Sequence, residues 1–128
     1  MADAVQHFRP WLLLVEDEAP LAEAIRLNLE NEFELAVAGT VEEARVLLGA
    51  RQYAIIVSDH MMPGKQQGLA FLMEALEQQP TARRILMTGY LNPEFLGRSM
   101  SVAQLSACLI KPVPIDMLRQ ALHRSLAT

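Results

Sequence analysis

The 128-residue chain has one cysteine, Cys108, so it can form neither an internal disulfide nor a CxxC redox or zinc pair. Aromatic residues are scarce at 5%, and no window interleaves them with lysine and arginine. With 11 basic against 15 acidic residues and a net charge of −4, direct nucleic-acid binding is not expected. Long apolar runs are missing as well: Trp11–Val15 and Tyr53–Val57 are among the longest, against roughly 18 residues needed to cross a bilayer. No membrane association is expected. The N-terminus has no basic stretch followed by an apolar segment, hence no secretory signal, which points to a cytoplasmic setting.

Apolar side chains are plentiful. Hydrophobic residues make up 52% and charged residues 20% of a chain of ordinary single-domain length, enough for one sizeable core. The expectation is one folded unit over residues 10–128 behind a short N-terminal arm, residues 1–9. Short apolar or β-branched runs at Trp11–Val15, Phe33–Ala38, Tyr53–Ser58, Arg84–Thr88 and Ser106–Ile110 read as strands. Between them, large apolar residues recur at helical spacing: Leu21, Ile25 and Leu29; Leu69, Leu72 and Leu76; Ile115, Leu118 and Leu122. Thr40 with Glu43 three residues on has the capping-box pattern, opening a shorter helix through Val41, Ala44, Leu47 and Leu48. Pro93 to about Val102 has the weakest helical pattern, because Gly97, Ser99 and Ser101 interrupt it.

Five repetitions of strand then helix, with apolar central strands, predict an α/β fold with an open, doubly wound, five-stranded parallel sheet and helices on both faces. In such sheets ligands bind beyond the carboxyl ends of the strands. Four chain segments deliver polar groups to that edge: Glu16-Asp17-Glu18, Asp59, Thr88-Gly89 and Lys111-Pro112. Three carboxylates drawn together at about 5 Å would repel by roughly 3 kcal/mol per pair at an effective dielectric of 20. Lys111 offsets part of this, and a divalent cation would offset the rest. Hard oxygen ligands with positions left for water suit Mg²⁺. A carboxylate beside such an ion, an ammonium and a hydroxyl is equipped to accept a phosphoryl group.

The stretches Leu13-Leu14-Val15-Glu16-Asp17-Glu18, Ile55-Ile56-Val57-Ser58-Asp59-His60-Met61-Met62-Pro63-Gly64, Ile85-Leu86-Met87-Thr88-Gly89-Tyr90 and Leu109-Ile110-Lys111-Pro112 together resemble the receiver domain of two-component response regulators, from about Pro10 to Leu126. The resemblance implies the flavodoxin-like strand order 2-1-3-4-5. It implies that Asp59 is the phosphoacceptor, and that Glu16, Asp17, Asp59 and the backbone carbonyl of Met61 hold Mg²⁺. Thr88 would bind a phosphoryl oxygen and Lys111 would bridge to the phosphate. The donor implied is a histidine kinase or a histidine phosphotransfer protein. Output would pass to an effector domain or partner protein through the fourth helix, fifth strand and fifth helix, with Phe95, Met100, Val102 and Met117 as candidate contacts; a homodimer is one form of that contact.

Three features depart from the family pattern. Cys108 stands where the family often has an aromatic residue, three positions before its lysine, so the usual aromatic relay is missing there; Tyr90 and Phe95 are candidate substitutes. The loop after Pro63 is one residue longer and lacks the usual Asp-Gly. Met61 and Tyr90 flank the expected path of a hydrolytic water and offer it no carboxylate or amide, which predicts slow loss of phosphate. His60, next to Asp59 on a strand end, is expected to point away into a loop or surface role. His7 and His123 are expected to be isolated.

Other readings stay open at this point. A receiver-like module that signals by binding alone would dispense with the acidic residues. A hydrolase with an aspartyl nucleophile would be expected to show Asp-x-Asp, where this chain has Met61. A flavin carrier would want a phosphate-cradling loop where Glu16-Asp17-Glu18 would repel the phosphate. The chain reads as a stand-alone domain or as one part of a longer protein.

Overall fold

Leu12 to Val15, Ile55 to Val57 and Ile85 to Met87 are runs without a polar residue, and such runs suit strands covered on both faces. In the computed structural model, which describes residues 8–61 and 67–127, they form the three central strands of a five-stranded sheet. The chain runs β1 (Trp11–Val15), α1 (Ala19–Leu29), β2 (Glu34–Ala38), α2 (Val41–Leu48), β3 (Ile55–Asp59), α3 (Gln67–Gln78), β4 (Arg83–Thr88), α4 (Pro93–Val102), β5 (Ala107–Ile110) and α5 (Ile115–Ala127). All pairings are parallel, in the order β2-β1-β3-β4-β5. Of the expected arm, residues 8 and 9 are described; His7 and the longer loop at Pro63 and Gly64 lie outside the described residues.

Alternate strand residues supply two cores. Leu13, Val15, Ile56 and Leu86 pack with Val41, Leu48, Phe71 and Leu72 on the α2–α3 side. Leu12, Leu14, Ile55, Val57, Ile85 and Met87 pack with Ile25, Leu29, Phe33, Leu118 and Leu122 on the α1–α5 side. The two helices of this second layer are also tied by polar contacts. Arg119 of α5 donates to Glu32 just after α1, at 2.9 Å, and to the carbonyl of Asn28, also at 2.9 Å. His123 lies 2.6 Å from the same Glu32 and 5.5 Å, ring to ring, from Phe33. His123 is therefore not isolated.

Strand starts shift slightly from expectation, and the largest shift has a visible cause. Tyr53 precedes β3 because its backbone N–H is taken by Gln79 Oε1 at 2.8 Å and its hydroxyl donates to the Leu47 carbonyl at 2.9 Å. Gln79 is buried and also donates to the carbonyls of Leu48 and Arg51. Thr40 caps α2 by accepting from the Glu43 N–H at 3.1 Å, while Glu43 reaches back to Gly39 N–H, one residue before the usual capping-box partner. The weakly patterned α4 does form, with Pro93 in its first turn and Asn92 accepting from Phe95 N–H at 3.0 Å. Ser99 is its one fully buried residue, and Phe95 is its contribution to the core.

Candidate functional site

Parallel registers bring the strand ends to one edge: Val15 pairs with Ser58, Asp59 with Met87, and Thr88 with Ile110. The next residues along the chain therefore meet. Glu16, Asp17 and Asp59 each offer a carboxylate oxygen within 4.8 Å of the others. Lys111 Nζ is 3.1 Å from both oxygens of Asp59 and 3.8 Å from Glu16 Oε1. The Lys111–Pro112 peptide is cis. Thr88, buried at the end of β4, faces the same cavity of about 290 Å³, together with Asp17, Asp59, Met61 and Lys111.

The electrostatics favour positive charge at this edge. Burial pushes the Glu16 carboxyl up to about 7, and the charge of Asp59 adds to this; a hydrogen bond from Glu18 N–H and the ammonium of Lys111 pull the other way. Burial works against the Lys111 charge, but Asp59 and Glu16 outweigh it and raise its pKa. Glu16 Oε1 is fully buried and has no hydrogen-bond partner among the described residues. A buried carboxylate oxygen without a hydrogen-bond partner, beside two more carboxylates, offers the oxygen ligands that a hard divalent cation takes.

The expected site residues Glu16, Asp17, Asp59, Thr88 and Lys111 thus converge, and Met61 lines the same cavity while remaining 57% exposed. His60 stands in the bend after β3, as expected of a loop residue, but not at the surface. It is buried, and its Nδ1 lies 3.0 Å from Thr88 Oγ1, which also accepts from Tyr90 N–H at 3.0 Å. Its ring lies against that of Phe95, tilted by 32°, at 4.6 Å between centroids. Burial lowers the His60 pKa, with the charge of Asp59 opposing. Tyr90, half exposed, packs edge-on against Phe95 at 5.2 Å; it lines a neighbouring cavity of about 600 Å³ with His60, Met61, Gly89 and Phe95, not the acidic one. Gly68 is buried at the start of α3 and donates its N–H to the His60 carbonyl at 3.2 Å.

A family model described as response regulator receiver domain matches residues 12–123. The chain belongs to the response regulator receiver domain family. It is a signalling domain of two-component systems. It is 35% identical over 116 residues to the hydrogenase transcriptional regulatory protein HoxA of Cupriavidus necator, covering 88% of this chain and 24% of that protein. The receiver domain thus spans about a quarter of the length of that relative. Two solved structures are similar. The signal receiver domain of an HD domain-containing protein from Pseudomonas fluorescens Pf-5 has a TM-score of 0.84 at 25% identity, covering 94% of this chain and 96% of that one. The receiver domain of Francisella response regulator 1452 has a TM-score of 0.82 at 26% identity, covering 93% and 98%. Among the described residues, no helix is long and apolar enough to cross a membrane.

Proposed function

We propose that this receiver domain is a phosphorylation-operated switch in which Asp59 takes a phosphoryl group from the phosphohistidine of a histidine kinase or phosphotransfer protein. An Asp59 oxygen attacks phosphorus, the P–N bond breaks, and the departing imidazole nitrogen takes up a proton. The observation that carries this is Lys111 Nζ lying 3.1 Å from both Asp59 oxygens inside a cluster of three carboxylates. Glu16, Asp17, Asp59 and the Met61 carbonyl would hold Mg²⁺, which when bound supplies positive charge against the equatorial phosphoryl oxygens. Lys111 shields the incoming anion from the carboxylates, and the Thr88 hydroxyl donates to a phosphoryl oxygen.

Output in this reading leaves through the face of α4, β5 and α5, to an effector domain, a partner protein or a second copy. Met100, Val102 and Met117 are exposed there; Phe95, expected alongside them, is partly buried against the core instead. The test is intact-mass spectrometry after incubation with acetyl phosphate and Mg²⁺. One phosphoryl group is expected, lost in Asp59→Ala and lost on chelation. Equal labelling of Asp59→Ala would remove the assignment, and labelling indifferent to chelation would remove the metal.

A further inference from the structure

The Thr88 hydroxyl has one proton to give. In the structure it already accepts from Tyr90 N–H and pairs with His60 Nδ1 at 3.0 Å. A neutral imidazole has one bare nitrogen, and with that nitrogen at Nδ1 the Thr88 proton goes to His60. A phosphoryl oxygen on Asp59 is a charged acceptor and competes for the same proton, with charge-assisted bonds roughly twice as strong as neutral ones. In that tautomer, occupancy at Asp59 and the Thr88–His60 bond are opposed.

The other end of His60 touches the helix with least hold on the core. Ser99 is the only fully buried α4 residue, and its hydroxyl has no partner among the described residues. Phe95 is the α4 side chain packed on the core, and its ring lies 4.6 Å from that of His60 and 5.2 Å from that of Tyr90. Cys108, on β5, has no aromatic ring to bring to this cluster.

We propose that His60 is a positioning residue that couples the state of Asp59 to α4: phosphorylation draws the Thr88 proton away from His60 Nδ1, and the His60–Phe95 ring contact that seats α4 rearranges. This rests on the reading of Asp59 as phosphoacceptor. The experiment uses the labelled 128-residue chain with Mg²⁺ and beryllofluoride as the phosphoryl probe. Fluorine NMR reports whether the probe is bound, nitrogen NMR reports His60 Nδ1, and amide shifts report α4. In the parent, loading should move the Nδ1 resonance and the α4 amides together.

His60→Phe keeps a ring and removes the nitrogen; with probe bound, its α4 response should fall at least threefold. His60→Asn places an amide near the Nδ1 position without a ring and should lose the α4 response equally. Phe95→Ala should silence α4 while the Nδ1 resonance still moves. A purely structural His60 would lower stability in these variants yet leave the α4 response to loading at its parental size, and that result overturns the proposal. So does a bound probe with an unmoved Nδ1 resonance. Absence of probe binding in the parent would instead refute the phosphoacceptor reading itself, and this coupling with it.

Discussion

A Cβ placed on Gly68 would lie 1.7 Å from the carbonyl oxygen of Asp59 and 2.7 Å from its carbonyl carbon, so the first turn of α3 rests directly on the peptide that carries the acidic side chain. Those are backbone atoms and cannot swing aside. Gly68→Ala should destabilise by about 1–3 kcal/mol, as overpacking does, and should slow acetyl phosphate labelling by tilting Asp59. Urea midpoints and labelling rates check both; parental values for each would contradict the contact.

Lys111 and Thr88 should fail in different ways. Replacing Lys111 by Ala removes a charge-assisted contact worth about 1.5–3 kcal/mol, so labelling of Asp59 should slow by roughly tenfold or more. Thr88→Ala leaves the acidic cluster and Lys111 in place. It should label at a rate near the parent's yet lose the change in association that phosphorylation brings. Sedimentation beside mass spectrometry separates the two; identical behaviour of both variants would refute these roles.

The raised Glu16 pKa sets a pH window. Between about 4.5 and 7 the folded protein binds a proton that the unfolded chain has released, so without metal this group makes the fold less stable as pH rises across that range. Metal binding needs the ionised form, so Mg²⁺ affinity should climb from pH 5 to 7 and then level off. Glu16→Gln should be more stable than the parent at pH 8 in chelator and should bind Mg²⁺ weakly. Urea melts in chelator and Mg²⁺ titrations at several pH values are the measurements; a flat affinity from pH 5 to 8 would contradict the account.

Phosphate loss should respond to Met61 more than to Tyr90. Met61 lines the acidic cavity and Tyr90 lines its neighbour, so the exclusion of water expected of both falls on Met61. Met61→Asn, which offers an amide to orient water, should shorten the lifetime of the phosphorylated protein severalfold. Tyr90→Glu alone should change it less. Decay of the labelled species by mass spectrometry decides between them.

The acidic edge is readable because apolar strand runs end just before it: Val15 precedes Glu16 and Asp17, Val57 and Ser58 precede Asp59, and Ile110 precedes Lys111. A parallel register stacks such positions whatever the loops do. His60 is buried where a surface position is expected, for a reason in the layers of the fold. Strand alternation does point it away from Asp59, but both faces of this sheet are covered, and one step beyond the Asp59–Met87 pair it meets Thr88. Away from Asp59 therefore means toward α4, not toward solvent. The contact at Gly68 has no sequence signal, since a glycine at the start of a helix reads as loop chemistry until the third strand is seen beneath it. Strand starts moved for a tertiary reason too, with the Gln79 side chain taking the N–H of Tyr53.

The ties from Arg119 and His123 to Glu32 have a consequence for amide exchange. They join α1 and α5 across the second core, whereas α4 is seated by one ring and one orphaned serine. Opening α5 must also break its hold on α1, while α4 can open alone. Native-state hydrogen exchange should therefore show two tiers, with α1 and α5 protected to a similar free energy near that of global unfolding and α4 exchanging well below it. Glu32→Ala should loosen the first pair and lower the protection of α5, while the Arg119 bond to the Asn28 carbonyl and the shared core keep it above that of α4.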